Sequence, residues 1–184
     1  MVRKVRFSAA CGSTPPRTWC LESGRYLRRM SDSIAVRAAT SADVEGLVRL
    51  FEDYRAFYGC QPDEARARSF LSDRLRNTDS VILVASTRRT LAGFTQLYPA
   101  FSSLRMGRAL ILNDLYVAEP FRRHGVARRL MDAARLFAEM SGALVLTLET
   151  QKANTKARAL YDSLGYHAEE DFVTYSLGVS PSGA

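Results

Sequence analysis

A chain of 184 residues with 47% apolar and 24% charged composition fits one globular domain with a proper core, which excludes disordered and fibrous classes. Of the net charge of +7, most sits at one end: residues 1–29 hold seven basic residues against the single acid Glu22, leaving residues 30–184 near neutral and without a nucleic-acid footprint. Three cysteines without a CxxC pair, two histidines and no apolar run near the roughly 18 residues of a membrane span exclude a disulfide framework, a clustered zinc site, a histidine-dependent nucleophile and a transmembrane helix, with a cytoplasmic location as the default.

Residues 1–29 are Arg-rich, broken by "CGSTPPR", and lack the apolar core of a secretory signal. The expectation is a poorly ordered basic extension; a weak organelle transit peptide is the alternative. Met30 opens "MSDSIAVRAATSADV", which reads like the start of a domain covering 30–178, with 179–184 as a tail.

"SIAVRAA" (33–39) predicts a strand. Thr40, with Asp43 three residues on, predicts the cap of a helix whose apolar face is Val44, Leu47, Val48, Phe51 and Tyr54 and which Gly59 ends. A second helix spans about 63–76. "SVILVAS" (80–86) is apolar throughout, as for a strand buried on both faces, and "LAGFTQLY" (91–98) is its hairpin partner across "TRRT". A polar loop at 99–108 leads to the strand "ALILNDLYV" (109–117).

Pro120 and Gly125 bracket a tight connection into a strong helix at about 126–140. Then come the strand "ALVLTLET" (143–150), the helix "NTKARALYDSLG" and a final strand "EEDFVTYSL" (169–177). The order βααβββαβαβ predicts an α/β fold of the mixed α+β kind: a mixed sheet with helices on both faces.

The junction "FRRHGVARRL" (121–130) combines a strand end, a loop and a helix N-terminus. First-turn N–H groups and the helix dipole favour an anion, and Gly125 lets oxygens approach the backbone. Arg122, Arg123, Arg128 and Arg129 add charge, so the expected ligand is a phosphate or pyrophosphate, with a solvated basic face as the alternative. Neither G-x-G-x-x-G nor G-K-[ST] occurs.

A second constellation, N-x-x-A-x-x-L-Y-x-x-x-G-Y, runs from Asn154 through Ala157, Leu160 and Tyr161 to Gly165 and Tyr166. With R-x-x-G-x-A at Arg122–Ala127, the chain resembles the GNAT N-acetyltransferase superfamily over residues 33–177, in element order as well as motifs. The resemblance implies a mostly antiparallel central sheet and acetyl-CoA as co-substrate. The backbone amides of Arg123, His124, Gly125, Val126 and Ala127, with Arg122 beside them, would hold its pyrophosphate. The strand "LNDLYV" would splay from its neighbour and pair with the pantetheine arm near Leu115, Tyr116 and Val117. Val117 N–H would polarise the thioester carbonyl, Asn154 would bond the cofactor arm, and Tyr161 would protonate the departing thiolate. From burial alone Tyr161 could be a core aromatic, and Asn154 only a helix cap.

On the acceptor side, Asn113 and Asp114 interrupt an apolar strand. Asp114 is the candidate base or cation anchor, with a structural carboxylate as the alternative. Branches with Glu in the position of Asn113 have an obvious base there; this chain has an amide. Glu52, Asp53, Tyr54 and Tyr58 in "FEDYRAFYG", and Glu149, are candidate acceptor contacts, though Glu52 and Asp53 read equally as surface charges. The resemblance extends to branches acetylating polyamines, amino acids or histone-like amines. It implies direct attack by a primary amine in a ternary complex, a small cationic amine first and a protein lysine or N-terminus second. A non-catalytic acyl-CoA-binding module is the rival class. No metal, membrane or nucleic-acid partner is expected, and a homodimer is left open.

Overall fold

The computed structural model describes residues 34–169 and 171–179. The expectations for residues 1–29, for the start at Met30 and for the last five residues lie outside them. The chain forms two compact units, one ending at Leu148 and the other beginning at Glu149.

The first unit is built on a five-stranded sheet in the order β1-β2-β3-β4-β5. Its strands are β1 (Ala35–Ala38), β2 (Val81–Ser86), β3 (Leu91–Ser102), β4 (Gly107–Val117) and β5 (Val145–Leu148). The first three pairings are antiparallel and β4–β5 is parallel, so the sheet is mixed and mostly antiparallel.

Thr40 starts a short 3-10 turn, Ser41–Asp43, and helix α1 follows over Val44–Phe57. The Asp43 carboxylate accepts from Thr40 N–H at 2.8 Å and from Arg37 at 2.7 Å, which joins the helix start to β1. Helix α2 (Glu64–Asn77) begins at Asp63, whose side chain accepts from Arg66 N–H. Leu47, Val48 and Leu50 of α1 and Ala67 and Leu71 of α2 close over Ile82, Val84 and Phe94.

Side chains alternate along a strand, so Leu83, Ala85 and Leu97, also buried, belong to the other face. There helix α3 (Val126–Met140) lays Val126, Leu130, Met131, Ala134 and Ala138 against β2, β3 and β4. Each large apolar side chain removed from water in this way contributes about 1.5–3 kcal/mol.

Two expectations differ from the structure. The loop predicted at 99–108 shrinks, because β3 continues through Pro99 to Ser102. A proline is tolerated where the ladder does not call on its N–H. The final strand predicted at 169–177 does not form among the described residues, and Phe172, Val173, Tyr175 and Leu177 are exposed. Its alternation supplies strand propensity, but the described part of the second unit offers no strand to complete a ladder. That unit instead contains helix α4 (Thr155–Ser163), followed by Gly165 in the left-handed region at φ 83°.

Candidate active site

A bulge in β4 decides which face receives the polar pair. Gln96 lies opposite Asp114 and Leu97 opposite Leu112, so Asn113 is one residue too many for the ladder. Opposed residues share a face. Phe94 and Gln96 look toward α1 and α2, and so do their partners Tyr116 and Asp114; Leu112, opposite Leu97, looks toward α3. Without the extra residue Asp114 would share the face of Leu112. The bulge turns it toward α1.

There Asp114 is 4% exposed. Burial raises its pKa above the ordinary carboxylate value, while hydrogen bonds from Asn113, at 3.2 Å, and from the Tyr54 phenol oppose the rise. A carboxyl group with a raised pKa is a stronger proton acceptor. Tyr54 is held edge-on by Tyr58, Phe94 and Tyr116, with ring centroids 5.1, 6.1 and 6.3 Å away. Tyr58 is half-exposed at the end of α1.

Sequence reasoning missed two neighbours on this face. Gln96 is fully buried and donates to Ser80 Oγ at 2.8 Å. Tyr98, two residues on, has its pKa pushed up to about 12, first by burial and then by the charge of Asp114. A glutamine inside the apolar "LAGFTQLY" carries the same signal as Asn113 and Asp114; an aromatic such as Tyr98 in a strand carries none.

The other edge of β4 opens. Its pairing with β5 ends at Leu112 opposite Leu148, yet β4 continues to Val117 on its ladder with β3. Ala118 N–H bonds Ala92 O at 3.0 Å, on the β3 side. Successive amides point to opposite sides of a strand, so the N–H and C=O of Val117 lie on the open edge.

A 3-10 turn, Glu119–Phe121, leads from this edge to the loop before α3. Arg123 and Gly125 both lie in the left-handed region, at φ 66° and 75°. The first intrahelical bond of α3 runs from Arg129 N–H to Gly125 O, so the amides of Val126 and Ala127 have no carbonyl to meet within the helix. A Cβ built on Gly125 would have nothing within 4 Å, which marks open space before these amides.

The arginine side chains do not all crowd that space. Arg122 turns back: Nε donates to Val117 O at 3.0 Å, Nη2 to the Tyr116 hydroxyl at 3.3 Å, and the guanidinium lies 5.6 Å from the Tyr116 ring centre. Arg129 donates to Ile34 O at 2.9 Å. His124 Nδ1 is 2.7 Å from Arg122 O. Two of the four arginines, Arg122 and Arg129, are thus engaged with the backbone of the first unit, while the amides at the start of α3 face the loop.

Glu52 is engaged elsewhere. It accepts from Arg55 at 2.5 Å and from Asp63 N–H at 2.7 Å, tying the end of α1 to the start of α2. In the second unit, Asn154 caps α4 by accepting from Ala157 N–H at 3.3 Å, so the capping alternative is realised. Tyr161 is only half-buried on α4, which has no fully buried residue, and its ring centre is 6.1 Å from that of Tyr166. Glu149 accepts from Thr174 at 3.3 Å. A groove of about 510 Å³ lined by Arg37, Arg49, Asp53, Arg89, Leu91 and Phe121, among others, includes Asp53 but none of the other predicted site residues. Among the described residues no three His, Cys, Asp or Glu side chains gather where a metal ion could be held, and no helix is long and apolar enough to cross a membrane.

Comparison with known proteins identifies the family and the fold. Residues 47–166 match the model of the Acetyltransferase (GNAT) family. The chain is 45% identical over 144 residues to an uncharacterized N-acetyltransferase of Bacillus subtilis (strain 168), YhfO, covering 78% of this chain and 97% of the relative. It is 32% identical to a probable acetyltransferase of Haemophilus influenzae (strain ATCC 51907 / DSM 11121 / KW20 / Rd), covering 66% and 92%. A crystal structure of a probable acetyltransferase, 39% identical, superposes with a TM-score of 0.74 over 80% of this chain and 99% of that one.

Proposed function

The chain belongs to the acetyltransferase (GNAT) family, and on that footing we propose that it moves the acetyl group of acetyl-CoA directly to the primary amine of a small cationic acceptor. One observation carries this reading: β4 runs on from Leu112 to Val117 without β5 beside it and ends at the glycine loop of α3. An amide-bearing arm fits that edge and a pyrophosphate fits the space before Gly125, so the residues present suit the nucleotide thioester. When bound, that group supplies an activated acetyl carbonyl.

The chain's own residues then have distinct tasks. The amides of Arg123 to Ala127 bind the anion. Val117 N–H, on the open edge, meets the carbonyl oxygen as negative charge develops there. Asp114, too buried to meet the amine broadly, takes its proton through the Tyr54 phenol bonded to it or through water. The rings of Tyr54 and Tyr58 offer their faces to a cation. Tyr161 is the candidate donor to the departing thiolate, carried by the motif, and Asn154 the candidate ligand of the arm. Phe57, exposed beside Tyr58, favours a second reading in which the amine belongs to a protein lysine or N-terminus.

Titration of acetyl-CoA into the full chain by calorimetry tests the donor half. Micromolar binding is expected, and no binding would remove the reading. Thiol release with putrescine, spermidine, free amino acids and a lysine peptide then tests the acceptor half. Binding without thiol release from any amine would leave an acyl-CoA-binding module.

A further inference from the structure

Arg122 stands in the motif that the donor reading assigns to the pyrophosphate, yet its side chain serves the strand. Three contacts fix it: the Val117 carbonyl at 3.0 Å, the Tyr116 hydroxyl at 3.3 Å and the Tyr116 ring at 5.6 Å. The Val117 carbonyl lies on the open edge of β4, beside the N–H of the same residue. From the opposite edge β4 is pressed against Gly93, where a Cβ would fall 2.5 Å from Tyr116 O. The last two residues of β4 are therefore gripped from both edges, by the absence of a side chain at 93 and by the fork of Arg122.

We infer that Arg122 is a positioning residue that fastens the end of β4 and holds the direction of Val117 N–H, while the loop amides bind the anion. The inference rests on the donor reading above. A planar guanidinium suits the task because it donates from Nε and Nη2 at once while lying over an aromatic ring. A lysine keeps the charge but has one donor point and no plane. A hydrogen bond from a charged donor to a carbonyl that would otherwise face solvent is strong enough to restrain a strand end.

Two measurements on Arg122→Gln and Arg122→Lys separate this role from that of a pyrophosphate ligand. The first compares affinity for acetyl-CoA with affinity for S-acetylpantetheine, which lacks the pyrophosphate. A clamp predicts that each variant loses about tenfold for both donors. The second reads hydrogen exchange of the amides at 115–118 in the unliganded protein. A clamp predicts about tenfold faster exchange in both variants, with the rest of β4 unchanged. Loss confined to acetyl-CoA, largely restored by lysine and with exchange unaltered, would overturn the inference and make Arg122 a plain anion ligand. If the parent protein bound no acetyl-CoA, the donor reading would fall, and the exchange measurement would still decide for or against the clamp.

Discussion

Tyr54 and Asp114 are joined by a hydrogen bond across the packing of α1 on the sheet, and the carboxylate that accepts it is 4% exposed with a raised pKa. A buried charge of this kind is a burden on the fold. For an acid whose pKa is higher folded than unfolded, ionisation disfavours the folded state. The cost is absent below the unfolded pKa and grows as pH rises toward the folded one. Asp114→Asn is therefore expected to be at least as heat-stable as the parent at pH 7, while turnover falls about 100-fold and acetyl-CoA affinity holds. Thermal melts and steady-state thiol release check both halves. Unchanged turnover would return Asp114 to a structural role.

The phenol itself is the next test. Its hydrogen bond lowers the pKa of Asp114 against the larger effect of burial. In Tyr54→Phe that brake is gone, so the acid limb of the turnover–pH profile moves to higher pH. A profile measured across the acidic and neutral range reads the shift, and a stationary limb would separate Asp114 from the rate.

Much of this is legible in the sequence. Helix α3 has the predicted bounds because Gly125 ends the loop and the apolar residues repeat at helical spacing through Ala138. The polar pair in "ILNDLYV" is visible as an interruption of an apolar strand, but not the face it takes. Which face Asp114 takes depends on Asn113 being left over in a ladder, a cross-strand property with no local signature. The turn of Arg122 back to Val117, and the use of Glu52 as a tie between α1 and α2, are likewise tertiary. The expected loop at 99–108 gave way because β3 and β4 stay paired from Pro99 opposite Leu110 to Ser102 opposite Gly107, a tertiary pairing. The strand expected at 169–177 is the reverse case: among its described residues none is paired in a ladder.

Gly93 has a purely steric task. A methyl group there would lie 2.5 Å from Tyr116 O and 3.2 Å from Val117 Cα, both backbone atoms that cannot swing aside. Gly93→Ala is expected to cost about 1–3 kcal/mol of stability, the usual range for overpacking. Because the strain falls on the end of β4, acetyl-CoA affinity should fall as well. Denaturant melts with parallel calorimetry read both. A stable, fully binding variant would show that the strand end tolerates displacement.

Arg37 and Asp43 form an ion pair at the start of α1. Paired first with Arg37 and then bonded by Thr40, Asp43 has its pKa lowered to about 2 from an ordinary 3.8. A depressed folded pKa gives stability that is fully present above the unfolded value and is lost as pH falls through the folded one. Because Arg37 is 41% exposed, solvent screening reduces the gain to on the order of 1 kcal/mol. Asp43→Asn should therefore melt earlier than the parent at pH 7, with the difference closing between about pH 4 and pH 2. A gap that persisted below pH 2 would assign the loss to packing.

Tyr161 separates the chemical step from binding. The residue is half-buried on α4, a helix with no fully buried residue among those described. A group that protonates the leaving thiolate acts only as the bond to sulfur breaks, so its loss lowers turnover without weakening the ground-state complex. Tyr161→Phe is expected to bind acetyl-CoA as the parent does and to turn over about 100-fold more slowly. An aryl thioester donor, whose thiolate leaves without a proton, should recover most of that loss. Equal deficits with both donors would mean that the hydroxyl acts elsewhere than on the leaving group.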